Sequence, residues 1–335
     1  MRRPAVSILL AVRNEQRYLP AALASLQAQT LSDWELIAVN DGSRDRTNAI
    51  LRKAAQNDPR IRIFDRPGRG LVAALNFGLR YCRAPLIARM DGDDLCHPRR
   101  LEMQARFLRL NPRIGLVAAA VRHFPAWRIT DGLRAYQDWQ NALLRPEEIR
   151  RDLFVESPFA HPSVMLRREV LRQAGGYEER PWAEDYDLWL RLARAGVGFA
   201  RLPRILLDWR DRPQRLTRTA PTCTAAAFRA CKIHHLQQDV LREVREVSLW
   251  GAGLEGKAWR KELSAAGIAV TRWLDIDPRK IGQRIHGAPV VSIEDLQPGG
   301  PPVLVTVGAR GARPQVRAWA RQRGLSEGRD FLIVT

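Results

Sequence analysis

Cysteine is scarce in this 335-residue chain: four thiols, Cys82, Cys96, Cys223 and Cys231, with no CxxC pair among them. That spacing gives neither a zinc site nor a disulfide framework, so a reducing cytosol is the expected compartment. Long apolar runs are missing too. Val6 to Val12 is far shorter than the roughly 20 residues a membrane-spanning helix needs, and Met1-Arg2-Arg3 carries no signal-peptide cleavage pattern. Lysine is rare, and arginine carries nearly all of a formal net charge of +19. Such an excess points to an anionic partner. No Lys/Arg tract is interleaved with aromatics, and no zinc-finger or helix-turn-helix spacing occurs, which argues against nucleic acid. Scattered arginines suit the anionic inner face of a membrane and peripheral association with it; a plainly solvated surface is the other reading.

What is present is ordinary for a globular protein, with 45% hydrophobic and 27% charged residues and length enough for two cores. The pattern predicts strands over Val6–Val12, Glu35–Val39, Ile61–Phe64 and Leu86–Met90, alternating with helices over Tyr18–Gln29, Thr47–Asn57 and Gly70–Tyr81. This β-α-β-α order implies a parallel sheet with ligands at the carboxyl ends of its strands. From Arg122 to Val155 the pattern weakens, which marks an irregular segment facing substrate. Regularity returns at Pro162–Leu166 and in a helix near Tyr186–Ala195 closed by Gly196. The division expected is a first α/β domain over 1–215, a helical connector over 216–244, and a second small Rossmann-like α/β domain over 245–335.

Three acid-bearing segments fall at expected strand ends: Arg13-Asn14-Glu15, Asn40-Asp41-Gly42-Ser43, and Asp91-Gly92-Asp93-Asp94. Three carboxylates in the four residues 91–94 repel one another, and a hard divalent cation bound through oxygen would offset that repulsion. A solvated acidic turn is the alternative. Asp41 can accept from a base N–H or a ribose hydroxyl while Gly42 permits the sharp turn, or the segment simply caps the next helix. Further on, Glu184-Asp185-Tyr186-Asp187-Leu188-Trp189 concentrates carboxylates again. Asp185 near a helix start suits the macrodipole, and equally suits a base held on a rigid element apart from the metal cluster.

Taken in order, residues 6–15, 39–47, 88–94 and 184–189 closely resemble the pattern of glycosyltransferase family 2, inverting enzymes of the GT-A fold, over roughly residues 5 to 215. The resemblance implies a GT-A type, mostly parallel sheet flanked by helices, and a metal-dependent hexosyltransferase using a nucleotide-diphosphate sugar. It implies that Asp41 reads the base, with Ala11, Arg13, Asn14, Glu15 and Ser43 lining the same pocket. Asp91 and Asp93 match the DxD pair for Mg²⁺ or Mn²⁺, with Asp93 in direct contact, and the resemblance gives Asp94 to orienting either the sugar or the groups around the metal. Asp185 matches the catalytic base and Glu184 its supporting neighbour. His161 and Trp182 fall near the acceptor, and Trp209-Arg210 near the diphosphate; Arg13, Arg89 or Arg210 would assist the phosphates. The acceptor implied is a glycan or lipid-linked hydroxyl in bacterial surface-polysaccharide assembly. Asn40 stands where the family often has Asp, and the Gln-x-x-Arg-Trp motif of processive synthases is absent.

In the second domain, Gly251-x-Gly253-x-x-Gly256 follows an expected strand, precedes a helix, and is trailed by Asp275. That context admits NAD(P) or another nucleotide; glycines kept for strand–helix packing are the equal alternative. Residues 273–290 resemble the nucleotide-binding-like domain beside some sugar-modifying acyltransferases, and Lys257 without a following Ser or Thr excludes a P-loop. Two other functions share parts of this pattern. A sugar nucleotidyltransferase needs a glycine-rich basic loop that Ala11 to Glu15 does not supply. A non-catalytic nucleotide-sugar sensor has no use for intact Asp93 and Asp185. Base, sugar and acceptor identity are carried by the segment 122–155, and the pattern assigns no oligomeric state.

Overall fold

The structure, a computed structural model, describes residues 3–335. Met1 and Arg2, read above as lacking a signal-peptide pattern, lie outside the described residues. The chain divides into two compact units, one of Met1–Arg150, Pro158–Arg180 and Glu184–Thr219, the other of Arg151–Ser157, Pro181–Ala183 and Ala220–Thr335. Among the described residues no helix is long and apolar enough to cross a membrane.

The first unit runs β1 (Val6–Val12), α1 (Leu19–Gln27), β2 (Trp34–Asp41), α2 (Thr47–Asn57), β3 (Ile61–Arg66), α3 (Leu71–Leu79) and β4 (Leu86–Met90). β1 and β2 are almost wholly buried, as strands covered on both faces must be, which is why they read as continuous apolar runs. α1 starts with a proline in its first turn and buries Leu19, Ala22, Leu23 and Leu26 at helical spacing. After β4 come β5 (Leu95–Cys96), α4 (Arg100–Leu110), β6 (Ile114–Phe124), α5 (Asp131–Ala142), α6 (Pro146–Arg151), β7 (Val164–Arg167), α7 (Arg168–Gln173), α8 (Glu184–Arg194), β8 (Gly198–Arg210) and a short α9 (Leu216–Thr219). The eight strands form one sheet in the order β3-β2-β1-β4-β7-β6-β8-β5. β3, β2, β1 and β4 are mutually parallel, β6 and β8 are parallel, and β7 and β5 run antiparallel to their neighbours.

Two local expectations change. The segment 122–155 is largely regular: the end of β6, then α5 and α6. α5 is capped by Thr130, whose hydroxyl accepts from Leu133 N–H at 3.2 Å, and fully buries only Gln140. A helix that buries so little carries a weak apolar period, which is why the sequence hides it. β8 was not anticipated either. It is 13 residues long with Pro203 and exposed residues at its middle, and its register against β6 shifts once at its start and twice around that exposed middle.

The second unit contains α10 (Ala225–Gln237), β9 (Glu246–Trp250), α11 (Leu254–Ala265), β10 (Ala269–Asp275), β11 (Arg284–Ile285), β12 (Ala288–Ser292), β13 (Val303–Val305), α12 (Ala312–Gln322) and β14 (Phe331–Ile333). Its sheet has the order β11-β12-β10-β9-β13-β14, all parallel except the β11–β12 hairpin. Ile233 and Leu236 of α10, Trp259 and Leu263 of α11, and Trp273 of β10 pack in one core there.

Candidate active site

The carboxyl ends of β1 and β2 are stitched together by side chains of the loops that follow them. Asn14 N–H donates to Ser43 Oγ at 3.0 Å, Arg44 N–H to Asn14 Oδ1 at 2.8 Å, and Glu15 N–H to Thr47 Oγ1 at 2.8 Å. Asn14 itself adopts φ +56°, a conformation that asparagine tolerates better than most residues. Gly42 has φ +73°, and a Cβ there would lie 2.8 Å from Gly68 N, so the turn after β2 admits no side chain. Asp41, at the last position of β2, is buried and accepts from Arg69 N–H at 2.9 Å and Gly70 N–H at 2.8 Å. It thereby ties the β3–α3 loop to the end of β2. Ala11 is half-buried near the end of β1, and Arg13 is exposed. Asn40 gives its amide to Asp65 Oδ1 at 2.8 Å, a structural use for the position where the family pattern often has Asp.

At the end of β4 the three aspartates converge, each with an oxygen within 4.8 Å of the others. Each has a different neighbour. Arg89, only 1% exposed, donates to Asp91 Oδ1 at 2.6 Å. Asp94 Oδ1 accepts Arg210 N–H at 2.7 Å, while its Oδ2 is buried without a hydrogen-bond partner. Asp93 Oδ2 accepts from Arg212 Nε at 2.7 Å, and the same guanidinium pairs through Nη2 with Glu15 Oε1. Burial and the repulsion of neighbouring aspartates push Asp93 up and Asp94 well up. Burial also acts to raise Asp91, but the Arg89 guanidinium outweighs it and holds that carboxyl below its usual range. Glu15 is pushed to about 7 by burial and by Asp93, and its Oε2 is likewise buried and unpartnered. A set of converging aspartate oxygens, with the orphaned Oδ2 of Asp94 in the same cluster, fits a hard divalent cation that Asp93 and Asp91 would hold with Asp94 beside it.

Arg89, expected from the sequence to assist the phosphates, is buried and engaged with Asp91. Arg210 is held as well: its guanidinium lies 4.4 Å over the Tyr18 ring and 4.3 Å over Phe124, and Nε donates to Asp93 O at 2.6 Å. The cations that sequence reasoning missed are Arg212 and Arg215, just beyond β8. The positive charge of Arg215 is felt at Asp91, Asp93 and Asp94, and its guanidinium rests 4.3 Å over Trp209. The run Trp209-Arg210-Asp211-Arg212 was the available signal, but nothing in it says which arginine faces the acids.

Glu184 and Asp185 open α8. His161 bridges Tyr177 and Glu184, with Nε2 2.8 Å from the Tyr177 hydroxyl and Nδ1 3.5 Å from Glu184 Oε1. Burial acts to raise Glu184, but the His161 hydrogen bond and charge prevail and lower it. Asp185 moves the other way, to about 6, raised by burial and by the Glu184 charge; Asp91 adds to the rise and so belongs to the same electrostatic neighbourhood. Asp185 Oδ1 accepts Tyr186 N–H at 2.7 Å. Two adjacent carboxyls driven apart in this way are an arrangement suited to one ionised partner and one base poised near neutrality. Trp182 belongs to the second compact unit, where its ring lies 5.1 Å from His234.

In the second unit the glycine loop follows β9. A Cβ on Gly256 would meet Gly251 O at 1.9 Å, so strand and helix can approach only over a glycine, whereas Gly253 faces open space. Asp275 is saturated: Oδ1 takes Ile276 and Asp277 N–H at 2.8 and 2.9 Å, and Oδ2 takes Ala252 N–H at 2.9 Å and Lys280 Nζ at 3.0 Å. Packing and hydrogen bonding within the unit account for Gly251, Gly256 and Asp275 without a ligand.

Comparison with known proteins bears on the first unit. The family model for glycosyl transferase family 2 matches residues 7–175. The amylovoran biosynthesis glycosyltransferase AmsE of Erwinia amylovora is 31% identical over 207 residues, spanning 61% of this chain and 75% of that protein. The UDP-Gal:alpha-D-GlcNAc-diphosphoundecaprenol beta-1,3-galactosyltransferase of Escherichia coli is 28% identical over 211 residues, spanning 62% and 74%. Among solved structures, the mannosyltransferase PcManGT from Pyrobaculum calidifontis, in complex with GDP-Man and Mn²⁺, matches with a TM-score of 0.52 at 21% identity, covering 80% of this chain and 70% of that one. That last likeness is one of fold, the GT-A type expected from the sequence.

Proposed function

This chain belongs to glycosyl transferase family 2, and on that premise we propose that it transfers a sugar from a nucleotide-diphosphate donor to an acceptor hydroxyl with inversion at the anomeric carbon. The observation that carries the reading is the juxtaposition of two kinds of acid. One is the Asp91, Asp93 and Asp94 cluster; the other is Asp185, poised at about 6 and sensing the Asp91 charge. Asp41 and the stitched loops of Asn14, Glu15 and Ser43 form the floor on which the nucleoside rests. A divalent Mg²⁺ or Mn²⁺ held by Asp93 and Asp91 would stabilise the charge developing on the diphosphate. Asp185 takes the proton from the acceptor hydroxyl as that oxygen attacks from the face opposite the leaving group. Glu184, fixed by His161, holds its negative charge beside Asp185 and keeps the latter basic enough to act. Ordering donor and acceptor on these rigid strand and helix ends removes much of the entropic barrier.

The setting proposed is bacterial surface-glycan assembly with a glycan or lipid-linked acceptor. The names of the two relatives support it, and a net charge of +19 suits peripheral binding to an anionic membrane. The test is nucleoside diphosphate release from a panel of nucleotide sugars, with and without Mn²⁺, in the presence of a polyprenyl-diphosphate sugar acceptor. The anomeric configuration of the product is then read by NMR. Mn²⁺-dependent transfer with inversion is expected; a retained anomer, or turnover indifferent to EDTA, overturns the mechanism.

A further inference from the structure

Arg212 lies two residues beyond the end of β8 and places its guanidinium between two acids that come from different strand ends. Nε donates to Asp93 Oδ2 at 2.7 Å, and Nη2 pairs with Glu15 Oε1. The Arg212 side chain is 20% exposed and the two carboxylates 12% each, so both contacts are made largely out of water. No other carboxylate is paired with Arg212, and no other cation is paired with Asp93 or Glu15, among the ion pairs of the described residues. Asp93, whose Oδ2 Arg212 occupies, belongs to the cluster that fits a divalent ion. Two cations at contact distance repel strongly, so guanidinium and metal ion compete for that carboxylate.

A guanidinium fork also matches phosphate oxygens, which it can grip with two parallel N–H bonds. The tether allows such a turn: the side chain lies 5.4 Å over the Tyr18 ring, an apolar surface along which it can slide while keeping Glu15. We propose that Arg212 is the resident counter-cation of this site, exchanged at Asp93 for the incoming divalent ion and passed to the donor diphosphate. It holds Glu15 and Asp93 together in the donor-free enzyme. When ion and diphosphate arrive together, it leaves Asp93, keeps Glu15, and neutralises the diphosphate from the side away from the ion. The inference rests on the reading of Asp93 as a metal ligand given above. Its consequence is a reciprocal coupling in which ion alone binds weakly and each ligand strengthens the other.

The experiment is Mn²⁺ binding to the full chain, followed by electron paramagnetic resonance of the free ion, for wild type, Arg212→Gln and Arg212→Lys. Each is titrated alone, with UDP and with GDP, and thermal melting by circular dichroism reports folding. For wild type the better of the two nucleotides should tighten Mn²⁺ by about tenfold or more. Arg212→Gln should bind Mn²⁺ alone about tenfold more tightly than wild type and respond much less to nucleotide. Arg212→Lys, which keeps the charge but not the fork, should fall between them. An Arg212→Gln protein with unchanged or weaker affinity for Mn²⁺ alone overturns the exchange and makes Arg212 a permanent clasp, leaving the proposed transfer reaction intact. If none of the three binds Mn²⁺ even with UDP or GDP, the metal reading of Asp93 falls and takes the exchange with it.

Discussion

Asp94 accepts the backbone N–H of Arg210 on one carboxylate oxygen, at 2.7 Å, and keeps the other buried and unpartnered. The bond joins the end of β4 to the end of β8 across 116 positions of sequence. One oxygen thus ties two strand ends together, while the other has no hydrogen-bond partner among the described residues. The two duties separate by substitution. Asp94→Asn retains an acceptor for Arg210 N–H and should keep the melting temperature within a few degrees, while transfer falls at least about tenfold. Asp94→Ala loses both and should also lower stability, by roughly 1–3 kcal/mol in denaturant titration. Equal melting behaviour of the two variants would remove the architectural duty.

Asp185→Asn keeps the shape of the side chain and its acceptance of Tyr186 N–H while removing the proton acceptor. The transfer rate should fall by about 10²–10⁴, with the donor Kd changed by less than about threefold. Near-normal turnover in this variant would assign the base elsewhere.

The pH dependence follows from the same group. Protonated Asp185 cannot accept a proton, so kcat/KM should climb as pH rises through about 6 and then level off. Glu184→Gln removes the neighbouring charge that helps raise Asp185 and should move this acid limb to lower pH. Stability runs the opposite way. The folded state holds the Asp185 proton up to about 6 whereas the unfolded chain loses it near 3.8, so between those values the native state binds more protons. The contribution of this residue to stability is therefore present at low pH and declines as pH rises through that window. A pH–rate profile of wild type beside Glu184→Gln checks the kinetic part, and melting of Asp185→Asn against wild type across the same range checks the other.

In the second unit, Gly256→Ala forces a methyl to 1.9 Å from Gly251 O and should destabilise that unit by about 2 kcal/mol or more. Gly253→Ala meets nothing within 4 Å and should stay within about 0.5 kcal/mol. Melting of the two variants is the measurement. Equal effects would mean that the loop adopts a different backbone.

Much of this was legible before the fold was known. The strands β1 and β4 coincide with their expected bounds because buried parallel strands write themselves as unbroken apolar runs. Asp91, Asp93 and Asp94 stood out because carboxylates packed so closely are costly unless something binds them. α5 was illegible because it buries almost nothing, and β8 because its middle, around Pro203, is exposed. What the sequence did not show is how Arg89 and Arg210, both expected near the phosphates, are engaged: one pairs with Asp91 and the other lies over the rings of Tyr18 and Phe124.

By itself the sequence placed the acids of residues 13–15, 40–43 and 91–94 at strand ends, since a β-α-β alternation carries its ligand side with it whatever the surroundings. Only the tertiary structure decided which arginine answers them. Arg212 stands 119 positions from Asp93 and 197 from Glu15, and a guanidinium acquires its partners only where the sheet brings distant strand ends together. Local sequence shows many equivalent arginines; the convergence of β1, β4 and β8 at one end of the sheet selects this one.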